Sequence, residues 1–160
     1  MAVIADPQAV QLAITQGIGG TFNTNVGGET DKLHGDPVRV TGRVKSLHDG
    51  KWVEPEVRHG GHRYYDQGVT AVIEAEGSTP DLRNLLMLTT QRQVPFSLHQ
   101  LLSCGIYPLR QKMIVVKAAI AYRAAYEPIA GKIIEVDTPG TTAVNPRRFT
   151  FRNARRPLLY

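Results

Sequence analysis

Residues 113–140, MIVVKAAIAYRAAYEPIAGKIIEVDTPG, decide the reading of the fold. Met113–Lys117 is a short, continuous apolar run, the mark of a strand buried on both faces. Residues 122–126 follow as a helix candidate, which Pro128 either kinks or extends by a second turn. Lys132–Val136 is another β-prone run, and 137–140 is a turn. A strand–helix–strand crossover places its two strands parallel. The expected fold class is therefore α/β: a mixed sheet with a C-terminal parallel strand–helix–strand unit, in a single domain covering residues 1–160.

In such a unit both strands end on the same sheet edge, where α/β folds usually bind ligands. Lys117 ends the first strand, and Arg123 lies just past the loop after it. Asp137 and Thr138 end the second. Lys117 and Arg123 could grip a carboxylate, the guanidinium in bidentate fashion. Equally, Lys117 and Asp137 could form a structural ion pair with Arg123 capping a surface.

Upstream, residues 37–47 (PVRVTGRVKSL) alternate, with Val38, Val40 and Val44 on one face and Arg39, Thr41, Arg43 and Lys45 on the other. That is a strand with one wet face. His48-Asp49-Gly50 signals a turn, and Trp52-Val53 a return strand. Residues 54–67 read as a loop. Val69–Ala75 and Leu85–Thr90 read as a hairpin across 77–84. Ser97 is a helix N-cap for a short helix ending at Gly105. Near the start, Asp6 caps a helix that begins at Pro7 and closes at Gly17. The glycines that follow, at 17, 19, 20, 27 and 28, match neither a phosphate-binding nor a dinucleotide-binding loop.

The 160 residues suffice for one core-forming domain. A single cysteine, Cys104, excludes an intramolecular disulfide and fits a reducing compartment. No apolar run nears a bilayer span and no leader is visible, so a cytoplasmic location is expected. The net charge is +5, and five arginines at 147, 148, 152, 155 and 156 account for it. Such a tail can bind nucleic acid, but no aromatic–basic interleaving accompanies it, which disfavours that class. Asp31, His34 and Asp36 have the atoms of a metal site, as do His59 and His62, but the spacings are generic and suit turn caps as well. Cys104 has no visible partner for a nucleophilic role and reads as a small buried residue.

Two long blocks carry a family resemblance. Residues 27–52, GGETDKLHGDPVRVTGRVKSLHDGKW, resemble the opening of the C-terminal domain of the MlrC family, named for microcystinase C of microcystin degradation. Residues 115–142, VVKAAIAYRAAYEPIAGKIIEVDTPGTT, resemble that domain's most distinctive block. Residues 92–112 and 147–160 fit in order. The family comprises two-domain zinc peptidases whose N-terminal domain carries the metal ligands. The resemblance therefore implies half of a metallopeptidase. Zinc is expected in an N-terminal domain absent from these residues, and this chain is expected to hold no metal and to be inactive alone. It would complete the cleft and bind substrate through Gly27, Gly28, Asp31 and His34 in the first block. Lys117, Arg123, Asp137, Thr138 and Gly140 would do so in the second. One departure stands out: the family commonly has His-Phe-Arg where this chain has Ala121-Tyr122-Arg123, so a side chain that could move a proton is missing.

The expected partners are that metal-binding domain, in the same enzyme or on a separate chain, and a peptide-like substrate. An apolar face left uncovered would favour a homodimer. The competing reading is a free-standing, non-catalytic interaction module from a split gene. A weaker third is a nucleic-acid-binding domain using the arginine tail.

Overall fold

The computed structural model describes residues 1–28, 31, 34–56, 60–138, 140 and 145–153. Its centre is a five-stranded mixed sheet built from β1 (Ala2–Ala5), β2 (Thr21–Val26), β3 (Val38–His48), β6 (Thr70–Ala75) and β7 (Leu85–Thr89). The strand order is β1-β7-β6-β3-β2, and only the β1–β7 pair is parallel. β4 (Lys51–Val53) and β5 (Tyr64–Asp66) form a separate antiparallel ribbon. The chain is a mixed α/β single domain, as expected.

The hairpin β6–β7 forms the middle of the sheet because its residues are apolar on both sides. Ala71, Ile73, Leu86 and Leu88 point to one core, with Val72, Leu85 and Met87 in the other. Helix α1 (Pro7–Gln16) packs Ala9, Val10 and Ala13 on the first face. On the second, Leu101 of α2 (Leu98–Leu102) joins Ile106, Ala125 and Tyr126. Burying each large side chain here contributes about 1.5–3 kcal/mol. Both helix starts are as read: the Asp6 and Ser97 side chains accept from Ala9 N–H and His99 N–H.

The parallel strand–helix–strand unit does not form. Residues 113–117 and 132–136 belong to no strand. Between them α3 (Arg123–Tyr126) has one turn and passes at Pro128 into a 3₁₀ turn, Glu127–Ile129. A crossover needs a longer helix to carry the chain back over a sheet. What the 113–117 run does instead is pair with Met1, the residue before β1. The Met1 ammonium donates to Met113 O at 3.1 Å, and Val115 N–H donates to Met1 O at 2.9 Å. That is the bond pattern of one parallel bridge. Ile114 and Val116 pack on the second core while Met113 and Val115 face out, so one face is buried and not two. Ile134 and Val136 are each 71% exposed.

Two smaller differences concern β3 and the ribbon. The alternation of β3 breaks at Lys45, where the register against β6 shifts between Val44 and Ser46. Val44 is fully buried but Val38, at the strand's open end, is 64% exposed. Trp52 does not return along β3; it stacks on Tyr65 of β5, ring centroids 4.4 Å apart, against Phe96.

Candidate functional site

The sheet curls enough to bring the end of edge strand β2 back to the end of β1. Gly27 N–H donates to Asp6 Oδ2 at 2.9 Å. The other Asp6 oxygen is the α1 cap, accepting from Ala9 N–H at 2.9 Å. One buried carboxylate thus joins helix, strand end and glycine turn. Sequence reading found Asp6 only as a cap, because the bond to Gly27 spans 21 residues. Gly28 has φ +70°, and a Cβ there would collide with the Pro37 backbone, so only glycine lets the chain fold back this tightly.

That fold-back presents Asp31 and His34. His34 Nδ1 lies 2.7 and 2.8 Å from the two Asp31 oxygens, and His34 N–H donates to Oδ1 at 3.2 Å. In the neutral ring, a carboxylate facing Nδ1 favours the tautomer with its proton there and Nε2 as the acceptor. Gly140 comes from the far end of the sequence to the same ring. A Cβ on Gly140 would sit 3.3 Å from His34 Cδ2 and 3.5 Å from Nε2. The two blocks that carry the resemblance therefore meet at His34.

The remaining candidates are arranged differently from a parallel-sheet rim. Arg123 is held by two carboxylates, Glu127 at 3.2 Å and Glu135. Asp137 is bound by Arg148, whose Nε and Nη2 reach its side chain and backbone oxygens at 3.0 and 3.2 Å. The Lys117–Asp137 pair is not formed. Lys117 is exposed and has no ion-pair partner among the described residues, and Thr138 is exposed. Acids at 127 and 135 were visible in the sequence, but not that one guanidinium would span them.

His59, Arg155 and Arg156 lie outside the described residues. Among the described residues, no three His, Cys, Asp or Glu side chains come together. Asp31 and His34 turn facing atoms on each other. No helix of the described residues is long and apolar enough to cross a membrane. Cys104 is buried beside Gln67, and desolvation pushes its thiol up to about 11. Burial thus favours its neutral thiol, the less nucleophilic form.

A family model described as MlrC C-terminus matches residues 1–153. Among solved structures, this chain is similar to one from Mesorhizobium sp. BNC1 described as "Putative metallopeptidase". The identity is 28% and the TM-score 0.78, over 96% of this chain and 30% of that one. This chain thus spans under a third of the length of that relative. No curated protein matches.

Proposed function

Because the chain belongs to the MlrC C-terminus family, we propose that it is the cleft-completing, substrate-binding domain of a zinc metallopeptidase that hydrolyses peptide or amide bonds. The family match carries this reading, and the Mesorhizobium structure supports it. In that setting the metal, held by the other domain, would polarise the scissile carbonyl and activate water. The present residues supply binding and orientation. His34, its ring fixed by Asp31 and backed by Gly140, offers Nε2 to a substrate N–H. Gly27 and Gly28 let the substrate backbone approach closely. Lys117, exposed and without an ion-pair partner among the described residues, is placed to meet a carboxylate, with Thr138 on the same arm, residues 113–140. Arg123 and Asp137 act by holding that arm through Glu135 and Arg148.

The arm itself supports a docking role. Met113, Val115, Ile120, Ile134 and Val136 are all exposed, a concentration of apolar side chains that a neighbouring domain would cover.

The test joins this chain to the portion of the Mesorhizobium protein that the match leaves uncovered. Peptide hydrolysis is then measured with zinc for each part and for the joined form. Activity in the joined form alone, with KM raised several-fold by Lys117→Ala or His34→Ala, is the expected result. Hydrolysis by the 160-residue chain alone, or variants that leave KM and kcat untouched, overturns the proposal.

A further inference from the structure

The two edges of the main sheet are finished differently. Just before the β1 edge, Met1 pairs with Met113 and Val115. The β2 edge, Thr-Phe-Asn-Thr-Asn-Val over residues 21–26, has no charge, no proline and no bulge. Those are the usual devices that stop an edge from pairing with another chain. Val44 N–H donates to Gly20 O, which sets the hydrogen-bonding parity of the β2–β3 ladder. Phe22, Thr24 and Val26 therefore turn their backbone groups to β3. Thr21, Asn23 and Asn25 turn theirs outward. Those three have no backbone partner among the described residues beyond the sheet.

We propose that β2 is a self-association edge: two copies of this chain pair their β2 strands antiparallel about a two-fold axis at Asn23, extending the sheet across both. The pairing is self-complementary in this register. Asn23 faces Asn23 of the second copy, and Thr21 faces Asn25 twice, so each exposed hydroxyl or amide meets another. The ladder stops beyond Asn25, because Gly27 and Gly28 turn at φ +70° and Gly27 N–H is held by Asp6. Ile18, 69% exposed in the turn before β2, would lie near that end of the second copy. Charge does not oppose the arrangement. Arg43 and the second copy's Arg39 are level but three strand spacings apart, ~14 Å. That exceeds the ~8 Å screening length at physiological salt. The pairing also sets the Ile18 turn of one copy beside the Gly27–Gly28 turn of the other. It does not depend on the peptidase reading.

Sedimentation of the full chain up to a few hundred micromolar, with amide exchange followed at low and high concentration, tests it. The expected result is a monomer–dimer equilibrium in which the Thr21, Asn23 and Asn25 amides become protected as the dimer fills. Asn23→Lys places two like charges together on the axis. It should raise the dissociation constant by about tenfold or more, with an unchanged far-UV spectrum. Thr21→Lys, off the axis, should weaken it in the same direction. A chain that stays monomeric throughout the range overturns the proposal. So does a dimer in which those three amides stay unprotected, or one that folded Asn23→Lys leaves as tight as before.

Discussion

Replacing Asp6 separates its two duties. Asp6→Ala removes the α1 cap, which costs about 0.5–2 kcal/mol. It also strands the half-buried Gly27 N–H, and an unsatisfied buried donor costs about 1–3 kcal/mol. Together the loss is about 3 kcal/mol, because the two bonds are made by different oxygens to different elements. For a domain of this size that lowers the melting temperature by about 6–12 °C. Asp6→Asn keeps a side-chain oxygen for Ala9 N–H but turns an NH₂ toward Gly27 N–H. It should recover the capping part only, so its stability falls between the two. Urea denaturation at neutral pH measures all three proteins, with the midpoint read at constant m. If Asp6→Asn is as stable as the parent, the bond to Gly27 contributes nothing, and the claim that one carboxylate ties the glycine turn to β1 is wrong. If Asp6→Ala costs under about 0.5 kcal/mol, the whole argument about this junction fails.

Gly140→Ala forces a side chain into a backbone conformation at φ +148° and against the His34 ring; it should shift the His34 imidazole resonances while leaving the core methyl resonances in place, and an unmoved spectrum would deny the contact. Arg123→Ala removes two ion pairs from a site that is 41% exposed, so its stability cost should stay under about 1 kcal/mol and shrink with salt; a loss several times larger in chemical denaturation would mean that the arm is part of the core. Cys104 should resist thiol reagents at pH 8 in the native state and react at once in urea, and fast native labelling would contradict its burial. Burial raises the ionisation of both Cys104 and Tyr126 above their ordinary values, so the unfolded chain gives up these protons first. The stability they contribute is complete below pH 9 and, for the thiol, is lost as pH climbs from 9 to about 11; a denaturation midpoint flat across that window would refute it.

Local chemistry carried the elements whose cause lies within a few residues. Asp6 before Pro7 and Ser97 before an apolar trio each start a helix through a side-chain oxygen and a nearby N–H. Two apolar runs on either side of a polar turn make the hairpin β6–β7, and being apolar on both faces they belong at the sheet's centre. Two blocks of sequence were enough to point to the family. The sequence did not reveal β1, because Ala2–Ala5 is a strand only by pairing with β7, some 84 residues away in register. The apolar run at 113–117 has the composition of a central strand. Yet a central strand needs a neighbour on each side, and here only Met1 offers backbone groups to it.

The candidate site divides the same way. The residue types at Gly27, Gly28, Asp31, His34 and Gly140 were legible, since glycine, carboxylate and imidazole announce their chemistry. Their meeting was not, because the His34–Gly140 contact spans over a hundred residues and is made only when the sheet curls. The charges at Lys117, Arg123 and Asp137 were legible too, but which carboxylate each cation takes is settled by distance. Arg148 and Glu135 lie close enough to claim Asp137 and Arg123, and Lys117 is left to solvent. Sequence thus determined which groups the chain owns and where its backbone turns, because those follow from covalent geometry and neighbouring atoms. Tertiary structure alone decided which groups face one another, because burial and Coulomb attraction depend on positions in space and not on order along the chain.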